Sequence, residues 1–497
     1  MASFVVMMLI VAHRFLRLDL TSTLWASLRP STVLTGLLGL TLLWGVARRS
    51  VRVRLPVLLV PQWLLWGWAL VSKVVVDGTG QVVEFAKGDY TKDIVFASLL
   101  GLLACTARRL RVFSWVFVAV LTLISVVTIP QRSGIRECYH YKLTGNLNYE
   151  QETDHRPCVA AADCFNVPRS EAHLRDDGWV CERSGDWGLA TVQDRIHYVG
   201  TLVDPNGLAL GLVMAAALAL GLLTRPKSDP DVAPLPDAQP ESWTSRLSAA
   251  LLGPNRRWLA TLLLLVPLGL YAYATVLAAS RAGQVALALV LLMFCYMRVG
   301  WVGVMLASVL AAPLALLSRR SEAEAAYSTV TRILTYLNGY EAFWDHPLFG
   351  VGFANYGRIS FLNAHNSFLL AVTETGLLGG SLFLLGVYLC LKLLLAVLYW
   401  PGSDTDLADA RELLEIKHLA RTLLAMLTGV LCCVMFLSLA FDVLWLLPVG
   451  LVAGFQLWVS DRLPELQLRV RGWELLLVLL LGALLPTGFL AVVARNW

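Results

Sequence analysis

The stretch that decides the fold is PNGLALGLVMAAALALGLL, residues 205–223. It carries no charged side chain and shows no two-residue alternation. At 1.5 Å per residue it makes a helix of about 28 Å, close to the hydrocarbon thickness of a bilayer. The residues before it supply a helix start: Asp204 suits the N-cap and Pro205 the first helical position.

Working outward, similar apolar stretches occur at 2–15, 31–47, 55–75, 94–107, 112–129, 257–279, 282–298, 300–317, 376–399, 420–439, 443–459 and 473–494. The first is short and could lie in the interface or pair with the second. The composition agrees with the pattern: 57% of the 497 residues are hydrophobic and 15% charged, against about a quarter charged in a soluble domain. The predicted fold class is all-α, a polytopic transmembrane helical bundle of twelve or thirteen spans with two extended periplasmic loops. No basic region precedes the apolar run Phe4 to Ala12 and no small-residue cleavage site follows it, so it is not read as a signal peptide. The net charge of +5 comes without a basic, aromatic-interleaved stripe, so no nucleic-acid partner is expected; membrane lipids are.

Short-loop arginines and lysines set the orientation. Arg48, Arg49, Arg52 and Arg54, then Arg108, Arg109 and Arg111, then Arg225, Lys227, Arg256 and Arg257, then Arg462, Arg469 and Arg471 fall on one side when the spans alternate. That side is read as cytoplasmic. The chain then divides into N-terminal helices over 1–129, a first periplasmic loop over 130–204 and central helices over 205–317 with a cytoplasmic linker at 224–256. A second loop on the outer face runs over 318–375, and C-terminal helices fill 376–497. The Pro- and acid-rich run from Lys227 to Trp243 reads as disordered.

Nine cysteines divide into two groups. Cys105, Cys295, Cys390, Cys432 and Cys433 sit in or beside apolar spans, where free thiols are the default. Cys138, Cys158, Cys164 and Cys181 all fall in the first external loop, an even set that points to two disulfides of open pairing. Zinc is the competing reading, and the spacings lack a C-x-x-C pair.

Polar residues at the edges of apolar spans are functional candidates. Three stretches qualify. RIHYVGTLVDPN, from Arg195 to Asn206, leads into the apolar span at 205–223. Ser280-Arg281-Ala282-Gly283 joins two spans and places an arginine on the outer side, against the charge bias. In the second loop Val330, Ile333, Leu334 and Leu337 follow helical spacing, with Arg332, Tyr336 and Gly339 off that stripe. This reads as an amphipathic helix on the bilayer, stopped by Pro347. Gly350 and Gly352, then Asn363-Ala364-His365-Asn366-Ser367 and Glu374 through Gly380, follow it.

In this order the three stretches resemble the O-antigen ligase and O-antigen polymerase superfamily of bacterial membrane glycosyltransferases. The matching elements are DPN at 204–206, SRAG at 280–283, and R-x3-Y-x10-P-L-x-G-x-G…H-N-x-x-L…E-x-G-x-x-G from Arg332 to Gly379. The resemblance implies glycan transfer at the outer face of the bacterial inner membrane. The donor would be a polyprenyl-diphosphate-linked glycan. The acceptor would be lipid A–core for a ligase or a lipid-linked glycan for a polymerase, with protein O-glycosylation a further outcome among relatives. No cofactor and no metal are expected.

The chemistry needs a clamp for a leaving diphosphate and a base for an acceptor hydroxyl. Arginine suits the clamp through its paired, permanently charged donors; Arg281 and Arg332 are the first candidates and Arg195 the third. His365 suits the base, since its ordinary pKa lies near neutrality. Asn206, Tyr336, Glu341, Asn366 and Glu374 complete the expected substrate-binding set, Glu341 and Glu374 being alternative bases or arginine partners. A transporter or flippase of lipid-linked glycans is the rival reading, but neither inverted repeats nor mid-span polar breaks are evident.

Overall fold

The structure, a computed structural model, describes residues 1–21, 23–49, 54–143, 149–164, 179–185, 188–192, 194–224, 257–316, 322–360, 362–401 and 407–496. The predicted linker lies, Thr224 apart, outside the described residues, as do 318–321 at the start of the second loop.

The chain is an all-α, multi-pass membrane bundle. Its principal helices are α1 Ala2–Leu16, α2 Pro30–Ala47, α3 Val60–Asp77, α4 Asp89–Leu103, α5 Ala107–Gln131, α6 Pro205–Leu223 and α7 Arg257–Leu277. They continue as α8 Arg281–Val299, α9 Trp301–Leu316, α10 Glu322–Asp345, α11 Ser367–Leu398, α12 Leu407–Val434, α13 Val443–Arg462 and α14 Gly472–Asn496. Each predicted apolar stretch coincides with one of them. Among the described residues eight helices are long and apolar enough to cross a membrane, and three shorter apolar ones include α1.

Two helices form the centre. α6 and α13 are apolar on every face, which is how a fully enclosed helix reads, and nearly all their side chains are buried. α5, α7, α8 and α12 surround α6, while α13 packs chiefly on α4. The short α1 packs into the bundle rather than lying along its surface: Met7, Val11 and Phe15 are fully buried, and Phe15 meets Phe117 of α5 edge to face. α2 turns most of its length outward, with Leu40, Leu43 and Trp44 exposed.

Two boundaries differ from the sequence reading, for a shared reason. Apolar content alone places the end of the second loop at 375, whereas the helix starts at Ser367 and bends at Gly376. Likewise α12 ends at Val434, and 435–442 form a non-helical apolar connection. Hydropathy reports burial from water, not helical continuity.

The first loop adds a small β-structure that the sequence reading passed over. Strands β1 Arg136–Leu143, β2 Tyr149–Pro157, β3 Trp179–Gly185 and β4 Gly188–Leu189 form an antiparallel sheet in the order β2-β1-β3-β4. Cys138 lies opposite Cys181 in the register, yet each bonds elsewhere: Cys138 to Cys164 and Cys158 to Cys181. The two bridges tie both central strands to the 158–164 turn. They also take up the three neighbouring sulfurs of Cys138, Cys158 and Cys164. Two further short strands, β5 Thr191–Val192 and β6 Arg195–Ile196, lead from the sheet to α6. The other five cysteines are free thiols.

Candidate active site at one end of the bundle

Hydrogen bonds join the first two polar stretches, and the third comes beside the first, His365 lining the same cavity as Asp204. Asp204 caps α6, its Oδ1 accepting from Asn206 N at 2.7 Å and from Asn206 Nδ2 at 3.0 Å. Held this way, the Asn206 side chain offers its oxygen to Arg195 Nη2 at 2.9 Å. Arg195 Nε donates to the Ala278 carbonyl at 2.9 Å, just past the end of α7. Beyond it, Ser280 caps α8 by accepting from Gly283 N at 3.2 Å. Gly283 is required by proximity: a Cβ there would stand 2.5 Å from that of Ala209 on α6. Arg281 is therefore the first residue of α8, exposed, beside a helix N-terminus that itself favours anions.

α10 packs against α11 and brings Tyr336 to His365. Val330 and Leu334 face outward, while Thr335, Gly339, Ala342 and Phe343 face the protein. Arg332 is half-buried, and Tyr336 on the same side donates its hydroxyl to the His365 carbonyl at 3.1 Å. His365 has φ +47° and donates its backbone N–H to Ser438 Oγ at 2.9 Å. Its backbone is thus held on both sides, and its ring lines a cavity. Among the described residues the ring nitrogens have no hydrogen-bond partner. Burial lowers the imidazole pKa below its ordinary 6.5 and Arg332 lowers it further, with Asp204 opposing both. The ring is therefore neutral at physiological pH and able to accept a proton. Among the described residues neither Arg281 nor Arg332 pairs with a carboxylate.

The remaining predicted residues lie elsewhere in this frame. Asn366 caps α11: its Oδ1 accepts from Leu369 N at 2.9 Å and its Nδ2 donates to the Met435 carbonyl at 3.3 Å. Glu374 is buried, and its carboxylate accepts from Ala354 N and Tyr356 N, both at 3.0 Å. Glu341 is exposed on α10 and engages no described side chain.

The glycine-rich turn has a physical account. Gly376 has φ +69° and ψ −173°, and a Cβ there would collide with the Leu348 carbonyl oxygen. The break takes carbonyls out of the helical ladder, and outside donors satisfy them. The Thr373 carbonyl accepts from Val351 N at 2.9 Å. That of Glu374 accepts from Gly352 N at 3.1 Å and Ser72 Oγ at 2.9 Å. That of Thr375 accepts from Trp68 Nε1 at 2.7 Å. Leu377 N turns to the Pro347 carbonyl at 2.9 Å. The signature between Pro347 and Gly379 thus shapes the scaffold that carries His365.

Sequence reasoning passed over Arg14 and Arg17 at the end of α1, together with Lys92, Asp93 and Asp442, all of which line the cavity beside His365. The signal was available. Once α1 is counted as a span, Arg14 and Arg17 fall at the same end as Arg281, against the charge bias.

The architecture defines a multi-pass membrane protein with a histidine and several arginines gathered at one end of the bundle. Residues 262–384, from α7 through the bend in α11, match the family model described as O-antigen ligase. The likeness to that family is carried by this segment, about a quarter of the chain. A search of curated proteins gives no match.

Proposed function

We propose that this protein transfers a glycan from a polyprenyl-diphosphate carrier to a hydroxyl acceptor at the periplasmic face of the inner membrane. The observation that carries the reading is the meeting of the His365 imidazole, neutral and without a ring hydrogen bond among the described residues, with Arg332 and the Asp204–Asn206–Arg195 array, inside a bundle whose 262–384 segment matches an O-antigen ligase model. In this reading a ring nitrogen of His365 takes the acceptor hydroxyl proton as that oxygen attacks the anomeric carbon. The bond from that carbon to the phosphate oxygen breaks, and its electron pair leaves on the diphosphate. Arg281 and Arg332 stabilise that charge as it develops, which is where electrostatic assistance lowers a barrier most. Arg195 is occupied by Asn206 and Ala278, so it stiffens the wall beside Arg281.

The test is a transfer assay with purified protein, a lipid-linked glycan donor, and lipid A–core or a second lipid-linked unit as acceptor. His365→Ala is expected to lower turnover by about 100- to 10,000-fold, the range of general-base catalysis, while still binding donor. Near-normal product from that variant would sink the assignment. Arg281→Ala and Arg332→Ala are each expected to weaken donor binding about tenfold or more, as loss of a charge-assisted bond does. Since the arginines supply the positive charge, EDTA is expected to leave turnover unchanged; inhibition reversed by a divalent cation would overturn that part.

A further inference from the structure

The cavity beside His365 is lined by neither Arg281 nor Arg332. It has a volume of about 860 Å³, within the range of small-molecule sites. Its deeper wall is apolar, formed by Ile10, Leu34, Leu38, Phe96 and Leu99 of α1, α2 and α4. Its other wall is charged and ends at His365. There Arg14 pairs with Asp93, Arg17 with Asp19 and Lys92 with Asp89. Each cation is therefore matched, and two carboxylates remain. Asp204 and Asp442 each spend one oxygen on a helix cap, to Asn206 N and Leu444 N, both at 2.7 Å. Among the described residues, then, no cation of this wall is left without a carboxylate, and Asp204 and Asp442 each keep an acceptor oxygen in the cavity with His365.

A diphosphate would find no unmatched cation in that wall among the described residues. Sugar hydroxyls would find acceptors, since each carries a donor and a carboxyl oxygen accepts. The apolar wall in turn suits a hydrocarbon chain, and the largely exposed α2 separates it from the bilayer. We infer that this cavity is the acceptor subsite, taking a lipid-borne saccharide whose chain lies against α1, α2 and α4 and whose hydroxyl is presented to His365 beside Asp204 and Asp442. The inference rests on the glycan-transfer reading and adds the acceptor's location.

The experiment narrows the apolar wall with Thr35→Trp and, separately, Leu38→Trp, using outward-facing Leu40→Trp on the same helix as control. Proteins in nanodiscs are assayed with donor and acceptor varied in turn, the acceptor being lipid A–core in one arm and a lipid-linked repeat unit in the other. Thr35→Trp is expected to raise the KM for one acceptor about tenfold or more, with donor KM and kcat unchanged and Leu40→Trp like wild type. The arm that responds names the acceptor. A rise in donor KM, no change in either wall variant, or an equal effect of Leu40→Trp overturns the assignment. Native mass spectrometry with lipid A–core alone separates the two claims. Wild type that binds this lipid, loses it in Thr35→Trp and transfers nothing overturns the transfer reading while leaving the subsite standing.

Discussion

At the residue scale the proposal turns on His365, whose charge state its neighbours set. Burial and Arg332 both favour the neutral ring. The acid limb of the rate profile is therefore expected to inflect below pH 6.5, because activity is lost only when the ring protonates. Arg332→Gln removes a cation that opposes protonation, so the inflection should move up towards the ordinary value. A limb at or above 6.5 in the wild type, or one that moves down in the variant, would contradict the assignment. Residue types made Arg281, Arg332 and His365 legible in the sequence, since a charge at the edge of a span asks for an explanation. The work of Glu374 and Asn366 was not legible, because a polar side chain in a motif does not reveal whether it faces a ligand or a backbone amide. Glu374→Gln tests the difference. The amide keeps one acceptor oxygen and turns its NH2 towards a backbone N–H, so a loss of about 1–3 kcal/mol is expected, read as a lower midpoint of thermal unfolding in detergent. An unchanged midpoint would show that the clamp on Ala354 and Tyr356 contributes nothing.

At the element scale the bend in α11 and the disulfide-bonded sheet are the features least visible beforehand. The glycine at 376 reads as turn-forming, but part of its hydrogen-bonding environment comes from a helix about 300 positions away in the chain, where no local pattern points to it. Gly376→Ala forces a side chain into a positive-φ position, at about 1–3 kcal/mol for the backbone alone, and against the Leu348 carbonyl besides. Little folded protein should be recovered from membranes; wild-type yield and unfolding temperature would show that the bend tolerates a side chain. In the first loop the four cysteines pointed to cross-links, while the short alternation YHYKL within RECYHYKL, set among charged residues, was a strand signal passed over. Each bridge closes a segment of about 25 residues, worth about 3 kcal/mol in the chain-entropy account. Mild reduction should therefore expose 136–185 to protease while the bundle remains intact.

At the scale of the whole molecule the long apolar stretches were sufficient for the bundle. Lipid solvates apolar side chains and excludes unpaired backbone, so span positions are written in composition alone. The packing order was not, since α6 and α13 look like any other span until their neighbours are known. The proposed orientation has its own check. An alkaline phosphatase reporter joined after residue 134 or residue 360 should be active, and one joined after residue 240 inactive. The reverse pattern would invert the molecule and with it the side on which transfer occurs.

The tie between Gly376 and the N-terminal half has a consequence for inheritance. Trp68 and Ser72 satisfy carbonyls that the bend exposes, and Asp77 holds Asn355 and Arg358 from the same helix. The stretch that bears the family signature is thus finished by side chains outside it. A change at 68, 72 or 77 therefore acts on the signature stretch from outside it, so these positions should be constrained along with it across descendants of this chain. For the same reason, grafting 262–384 into another bundle would transplant the signature without the half of the molecule that completes it.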